Sequence, residues 1–359
     1  MPLFIFVACL AHPVGGAPSE TEAAPAEPSA SDELRFVGGT VVGVGQVDLL
    51  VRAGVIVGVG PTAVSATATV IDVAGRWLVP SFIDSHVHLA YLPAEEELAD
   101  NGIAGVVDLA APLAFLTTPH ASLQVLASGP MVTAEGGYPT RSWGSGGYGL
   151  ECADEGAAVD AVSSLIRAGA GVIKLPVTDH PQLDAPALAA AAARAHSLNV
   201  RVVSHALEDD EAARAATAGV DVLAHTPTGE LSPATLAAWQ NGAVISTLAA
   251  FGGGEQTVGN LRALRAAGAE VLYGTDFGNR RTAGIDASEL ALLQHAGLTP
   301  AEILHAGTRA PADYWGFGTL GALEVGRDAS LLVLDRDPLL DPFVVADPDE
   351  VWLRGQRRR

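Results

Sequence analysis

Hydrophobic and polar positions change rhythm twice along this 359-residue chain. Between residues 35 and 79, short runs rich in β-branched residues (FVGGTVVGVG, VDLLVRAGVIVGVG, ATVIDVAG) are broken by glycine, which predicts a small antiparallel sheet. From Pro80 the pattern changes to short apolar runs separated by alanine-rich stretches of helical period. Eight strands are expected, at 81–86, 105–110, 128–133, 171–177, 200–205, 220–225, 243–248 and 270–275. Helical segments lie between them, at 155–168, 183–198, 208–218, 231–241 and 257–268. After about Phe317 the β-rich style returns, in ASLLVLD and then VVADPDEVWLRG. Eight β/α repeats predict an α/β chain built as a (β/α)8 TIM barrel. The two β-rich ends are expected to join as a small β-sandwich domain. The expected segments are therefore a leader and linker at 1–33, β domain parts at 34–80 and 317–359, and the barrel at 81–316.

Residues 3–11 (LFIFVACLA) are almost continuously apolar, and a Pro/Ala/Glu/Ser-rich stretch follows to about Asp32. A short apolar core before a low-complexity tether has the form of a secretory signal and is too short for a membrane span. Phe6-Val7-Ala8-Cys9 resembles a bacterial lipobox, which makes Cys9 a candidate lipid anchor. It departs from that pattern in having Phe6 where a Leu-like residue is usual, and no Lys or Arg before the apolar run. The expected location is outside the cytoplasm, in the periplasm or cell envelope; without a functional signal the chain would stay cytoplasmic.

Charge and composition narrow the function classes. Forty-one acidic residues stand against 20 basic ones, a net charge of −21, which argues against a nucleic-acid partner. A hydrophobic content of 49% excludes a mainly disordered chain. Two cysteines, Cys9 and Cys152, build neither a disulfide framework nor a cysteine-based zinc site. Any metal must be held by His, Asp or Glu. Of the 20 basic residues only Lys174 is lysine, the other 19 being arginine. Unlike arginine, lysine has an amine that loses its proton, acts as a nucleophile or is covalently modified.

In a (β/α)8 barrel, reactive groups sit at the C-terminal ends of the strands. His86 and His88 close the first expected strand (SFIDSHVHLA), and Lys174 lies on the fourth (GVIKLPV). His205 ends the fifth (RVVSHA), His225 the sixth (VLAHTP), and Asp276 the eighth (LYGTDFG). A single histidine at a strand end is ordinarily a hydrogen-bonded structural residue. Four of them with an aspartate at matching ends are hard to assign to packing.

This ordered set resembles the amidohydrolase superfamily of metal-dependent hydrolases. Residues 75–84 (GRWLVPSFID) are similar to that family's entry into its first strand. Residues 296–302 (AGLTPAE) and 307–312 (GTRAPA) resemble its helix after strand eight, and 320–329 (LGALEVGRDA) its return to the small sheet domain. The resemblance spans roughly residues 36–356 and is greatest to the imidazolonepropionase-like and Xaa-Pro dipeptidase-like branch. It implies two divalent metal ions. His86, His88 and Asp276 would bind the more buried ion, and His205 and His225 the second. Lys174, carboxylated by carbon dioxide on its amine, would bridge both. Imidazole and carboxylate ligands suit Zn2+, with Mn2+, Co2+ and Fe2+ as alternatives. Asp276 would also be the catalytic acid and base for hydrolysis of an amide, peptide-like or cyclic amide bond.

The substrate is less legible, beyond being a small molecule or dipeptide-like. The loop 135–149 (EGGYPTRSWGSGGYG) is glycine-rich and carries Tyr138, Arg141, Trp143 and Tyr148 as candidate substrate contacts. Relatives often have Gly-Gly-His there; Tyr138 replaces that histidine, and Arg141 is a candidate compensating cation. Arg280 and Arg281 follow Asp276 and read first as surface residues. Ser246 and Thr247 on the seventh strand read as core or rim without assigned chemistry. Two alternatives stand beside the amidohydrolase reading. The same site would serve an esterase, lactonase or phosphotriesterase, or the fold would be a non-catalytic metal-binding envelope protein. A homo-oligomer is compatible with all of these. A nicotinamide or flavin oxidoreductase is disfavoured by the lack of a strand-turn-helix bearing GxGxxG.

Overall fold

The β-branched runs before Pro80 do form strands, but their pairing is mixed. In the computed structural model, which describes residues 33–179 and 181–359, they are shared between two sheets. The leader, with Cys9, lies outside the described residues. One sheet has four strands in the order Val55–Val59, Leu49–Arg52, Glu33–Val37, Thr69–Asp72. The hairpin between Leu49 and Val59 is antiparallel, whereas Glu33–Val37 pairs parallel with Thr69–Asp72. The expected purely antiparallel sheet is corrected on this point. The intervening 30 or so residues give the chain room to return in the same direction, which parallel pairing requires.

The second sheet has six strands in the order Gln356–Arg357, Glu350–Leu353, Leu331–Leu334, Trp77–Pro80, Thr40–Val41, Gly45–Gln46. Its central pair joins the two ends of the chain, with Leu332 opposite Val79 in antiparallel register. Both sheets contribute to one apolar core that includes Phe36, Leu49, Ile56, Leu78, Leu331 and Trp352. Phe36 and Trp352 meet edge to face at 5.1 Å between ring centres.

The middle of the chain carries parallel strands with helices between them. Phe82–Val87, Ile103–Asp108 and Gln124–Ala127 pair in sequence order. So do Val172–Lys174, Arg201–Ser204, Val222–Leu223, Ala243–Ile245 and Glu270–Leu272. Gly171 N–H donates to the Ala127 carbonyl (3.0 Å), linking the two groups. Ser85 N–H donates to the Tyr273 carbonyl (2.9 Å), so the last strand returns beside the first. Of the third expected strand, 128–133, only 131–133 are strand, within Met131–Ala134, while a separate strand, Gln124–Ala127, ends just before the expected start. Gly129, at φ +67°, and Pro130, which has no N–H to donate, interrupt the ladder between them.

Helix formation follows local signals. Glu155–Arg167 starts where Asp154 accepts a hydrogen bond from Ala157 N–H (2.8 Å). It buries Ala158, Ala161, Val162 and Leu165, one face at helical spacing. Ala185–Ser197 and Asp209–Thr217 lie within the expected segments, and Pro233–Ala238 is shorter than expected. Among the described residues, no helix is long and apolar enough to cross a membrane.

Candidate metal centre

His86 and His88 stand two residues apart on Phe82–Val87 and just beyond it, so they share one face of the strand. The strand's register slips between Asp84 and Val87. Asp84 holds this slipped segment. One of its oxygens accepts from His86 N–H (3.0 Å) and Thr275 N–H (3.0 Å), and the other from the Thr275 hydroxyl (2.5 Å). The same carboxylate therefore ties the two histidines to the segment that carries Asp276. Asp276 itself has φ +58°, a left-handed conformation uncommon outside glycine. Its two oxygens both accept from Asn279 Nδ2, at 3.0 and 3.1 Å.

His88 Nε2 lies 3.1 Å from Asp276 Oδ1, and His86 Nε2 lies 3.6 Å from the same atom. These three residues are buried and offer three ligand atoms within 4.8 Å of one another. His225 and His205 continue the cluster. The His86 and His225 rings are 4.6 Å apart, and those of His225 and His205 4.9 Å. Lys174 ends its strand, 1% exposed, close enough to depress the basicity of His86, His205 and His225.

Hydrogen bonds set which ring nitrogen is free. His86 Nδ1 donates to the Ala224 carbonyl (3.0 Å), and His225 Nδ1 lies 3.0 Å from the Thr247 hydroxyl. With Nδ1 donating to a carbonyl, the His86 Nε2 lone pair is left free on the side of Asp276, as in an imidazole arranged to bind metal. Thr247, at φ +39°, thus supports a ligand candidate, where its position alone indicated no chemistry.

Electrostatics favour the same use. Burial lowers His86 and His225 well below the ordinary histidine value and brings His205 to about 3, with the neighbouring Lys174 charge acting the same way. Burial brings Lys174 down to about 7, against the opposing pull of Asp276. His86, His205 and His225 are therefore held as neutral imidazoles, and the Lys174 amine becomes neutral above about pH 7. Among the described residues, His86 Nε2, His88 Nδ1 and Lys174 Nζ are buried without a hydrogen-bond partner. Buried polar atoms are ordinarily paired, and a metal ion is the partner this donor chemistry fits.

Two further buried carboxylates escaped the motif reading. Asp108 accepts from Leu89 N–H (2.7 Å) and Ala110 N–H (3.2 Å) and faces His88; burial raises it to about 6. Glu289 accepts from Leu248 N–H (3.0 Å) and Ala249 N–H (2.7 Å), anchoring the turn after Thr247. Asp108 closes the second strand, a place the strand-end rule covers; nothing local marks Glu289, which lies on a helix.

The loop 135–149 brings its aromatics to the histidines. The Tyr138 ring stacks on His205 at 4.8 Å, and Trp143 lies 5.2 Å from His88. Trp143 Nε1–H donates to the Tyr138 hydroxyl (2.9 Å), and Tyr148 packs 5.3 Å from Trp143. Arg141 is exposed and lies against Gly136, with Glu151 as its electrostatic partner. Arg280 donates to Asp286 (2.8 Å), and Arg281 is exposed.

Comparison with known proteins agrees with this geometry. The sequence profile of the amidohydrolase family matches residues 77–358. An uncharacterized protein of Mycobacterium tuberculosis is 29% identical over 337 residues, 82% of this chain and 88% of its own length. A solved Xaa-Pro dipeptidase with methionine bound in its active site has a TM-score of 0.77 at 18% identity, covering 90% of this chain and 99% of that one. A putative prolidase from Bifidobacterium longum has a TM-score of 0.76 at 23% identity, covering 91% and 94%. These likenesses in structure identify the fold as α/β of the TIM-barrel type.

Proposed function

Because the chain belongs to the amidohydrolase family, we propose that it hydrolyses the carbon–nitrogen bond of a small amide, peptide-like or cyclic amide substrate. The observation that carries this reading is the convergence of His86 Nε2 and His88 Nε2 on one oxygen of Asp276, with the buried, unpartnered amine of Lys174 in the same electrostatic neighbourhood. In this reading two divalent ions, with Zn2+ suited to the nitrogen and oxygen donors, are held at the centre. His86, His88 and Asp276 would hold one and His205 and His225 the other, with carboxylated Lys174 as a further ligand. When bound, such ions supply Lewis acidity, polarising a carbonyl oxygen and acidifying water near neutral pH.

The chain's own residues do the rest. The neutral Lys174 amine adds to carbon dioxide and loses one proton, giving a carbamate with the anionic oxygens that an ammonium lacks. Asp276 accepts a proton from the attacking water and delivers it to the leaving nitrogen, its carboxylate oriented by Asn279. Tyr138, Trp143 and Tyr148 wall the site beside His205 and His88 and limit water entry. The same reading takes the parallel strands as one closed (β/α)8 barrel and the two terminal sheets as a β-sandwich. It places the mature protein in the cell envelope, released from or anchored by its leader.

The test is a hydrolysis screen of the metal-replete protein on N-acyl amino acids, Xaa-Pro dipeptides and lactones, with Asp276→Asn alongside. Turnover of an amide, lowered roughly 10²–10⁴-fold by Asp276→Asn, is expected. Lactone turnover alone would shift the assignment to carbon–oxygen bonds. Full activity of Asp276→Asn would overturn the proposed role of that carboxylate.

A further inference from the structure

We infer that Glu289, on the helix Ala287–His295, is a positioning residue for His225, acting through the turn that follows the strand Ala243–Ile245. The inference rests on the reading of His225 as a ligand of the second ion and adds the device that holds it in place.

A glutamate at the third position of a helix ordinarily turns back to cap the first turn. Here the N–H of the cap residue, Asp286, is taken by the Tyr273 hydroxyl (2.8 Å). The Glu289 carboxylate, 0% exposed, reaches instead to a segment 40 residues away in the sequence. One oxygen accepts from Leu248 N–H (3.0 Å) and the other from Ala249 N–H (2.7 Å), with the Ser246 hydroxyl as a further partner. Hydrogen bonds to an ionised acceptor are stronger than those between neutral groups. Burying a carboxylate is costly, and filling the same space with an apolar side chain would not be. The charge is therefore spent on the two N–H groups it clamps.

The residue fixed by this clamp is Thr247, at φ +39°. A β-branched residue ordinarily avoids positive φ, and such a conformation persists only where its surroundings over-determine it. Thr247 is held on both sides. Its own N–H donates to the Gly274 carbonyl (3.1 Å), and the next two N–H groups belong to Glu289. In this conformation its hydroxyl stands 3.0 Å from His225 Nδ1. The turn runs on into the short helix Ala249–Phe251, where the Phe251 ring meets the His225 ring at 4.7 Å. His225 thus touches the turn through a hydroxyl and through an aromatic ring, and both follow the backbone that Glu289 holds.

The experiment measures retention of the second metal ion by chelator competition on the full-length protein, in wild type, Glu289→Gln, Thr247→Val and the double variant. Glutamine keeps one acceptor oxygen and turns an NH2 group toward the other backbone N–H. Glu289→Gln should weaken retention about 10–100-fold. Because the clamp acts through the turn, adding Thr247→Val to it should weaken retention little further. Scanning calorimetry checks that the variant folds; if it does not, the same cycle is run with Glu289→Asp, whose oxygens are drawn back by one methylene. Unchanged retention overturns the inference. So does a double-variant loss equal to the product of the two single losses, since a carboxylate serving the fold alone acts independently of the hydroxyl.

A second readout needs no metal. In the metal-free protein, nitrogen-15 spectra of the His225 ring, assigned by their loss in His225→Gln, should show a changed tautomer balance in Glu289→Gln and in Thr247→Val. An unchanged His225 spectrum in Glu289→Gln overturns the inference. If the wild type retains no second ion while that spectrum still responds to Glu289→Gln, the metal reading falls and the positioning stands.

Discussion

Replacing Lys174 by arginine perturbs the one cation of the chain whose chemistry arginine cannot copy. Its amine is 1% exposed, unpartnered, and brought by burial from 10.5 to about 7. At pH 8, one unit above the shifted value, neutral amine outnumbers ammonium by about ten to one. An exposed lysine at that pH is more than 99% charged by the same relation. Arginine stays charged at every working pH, so the variant buries a cation beside His86, His205 and His225 without a hydrogen-bond partner. Leaving a buried charge unpaired costs about 3–5 kcal/mol.

The expected outcome for Lys174→Arg is a lower melting temperature, metal content reduced to at most one ion per chain, and loss of turnover. Lys174→Met separates the causes. It removes both the charge and the amine while keeping an unbranched stem, so the metal-free form should be at least as stable as wild type and still lose metal and activity. Elemental analysis after gel filtration, scanning calorimetry and the amide assay read the three quantities. An arginine variant with full metal content and full turnover would refute the reasoning, because neither a neutral amine nor a carbamate would then be required.

Two other predictions follow from the same geometry. Thr247→Val removes the hydroxyl that meets His225 Nδ1 and should weaken metal retention about 10–100-fold, read by competition with a chelator. Unchanged affinity would mean that the hydroxyl does not orient the ring. For pH, the folded-state value of Lys174 is depressed, so between about 7 and 10.5 the unfolded chain binds a proton that the folded chain does not. The stability of the metal-free protein should therefore rise with pH across that window, through this group. Metal reloading should likewise strengthen as pH rises through about 7, where the amine becomes neutral. Denaturant melts and metal titrations at pH 6, 7, 8 and 9 check both; affinity independent of pH would exclude a part for the amine.

Much of this arrangement is legible from local pattern. The helix starts at Asp154 and Asp184 are local capping events, and the alternation of apolar runs and alanine-rich stretches marks where strands end. Strand ends in this class of fold lie on one side, so His86, His88, Lys174, His205, His225 and Asp276 could be grouped without knowing any distance. The break at Gly129-Pro130 was also written in the residues, but an apolar run on each side concealed it. The mixed pairing of the terminal strands was not, because register depends on which distant segment supplies the partner.

What the sequence by itself determined, then, is the order of elements and which side chains stand at the strand ends, both of which depend on near neighbours along the chain. The tertiary structure alone decided how those side chains are held and charged. Asp84 lies 191 residues from Thr275, His86 lies 138 from Ala224, and His225 lies 22 from Thr247. It also turned Arg141 toward Glu151 and laid Tyr138 on His205. Hydrogen-bond partners, burial and the pKa of a lysine are properties of a neighbourhood in space, and packing assembles that neighbourhood only when distant strands are brought together.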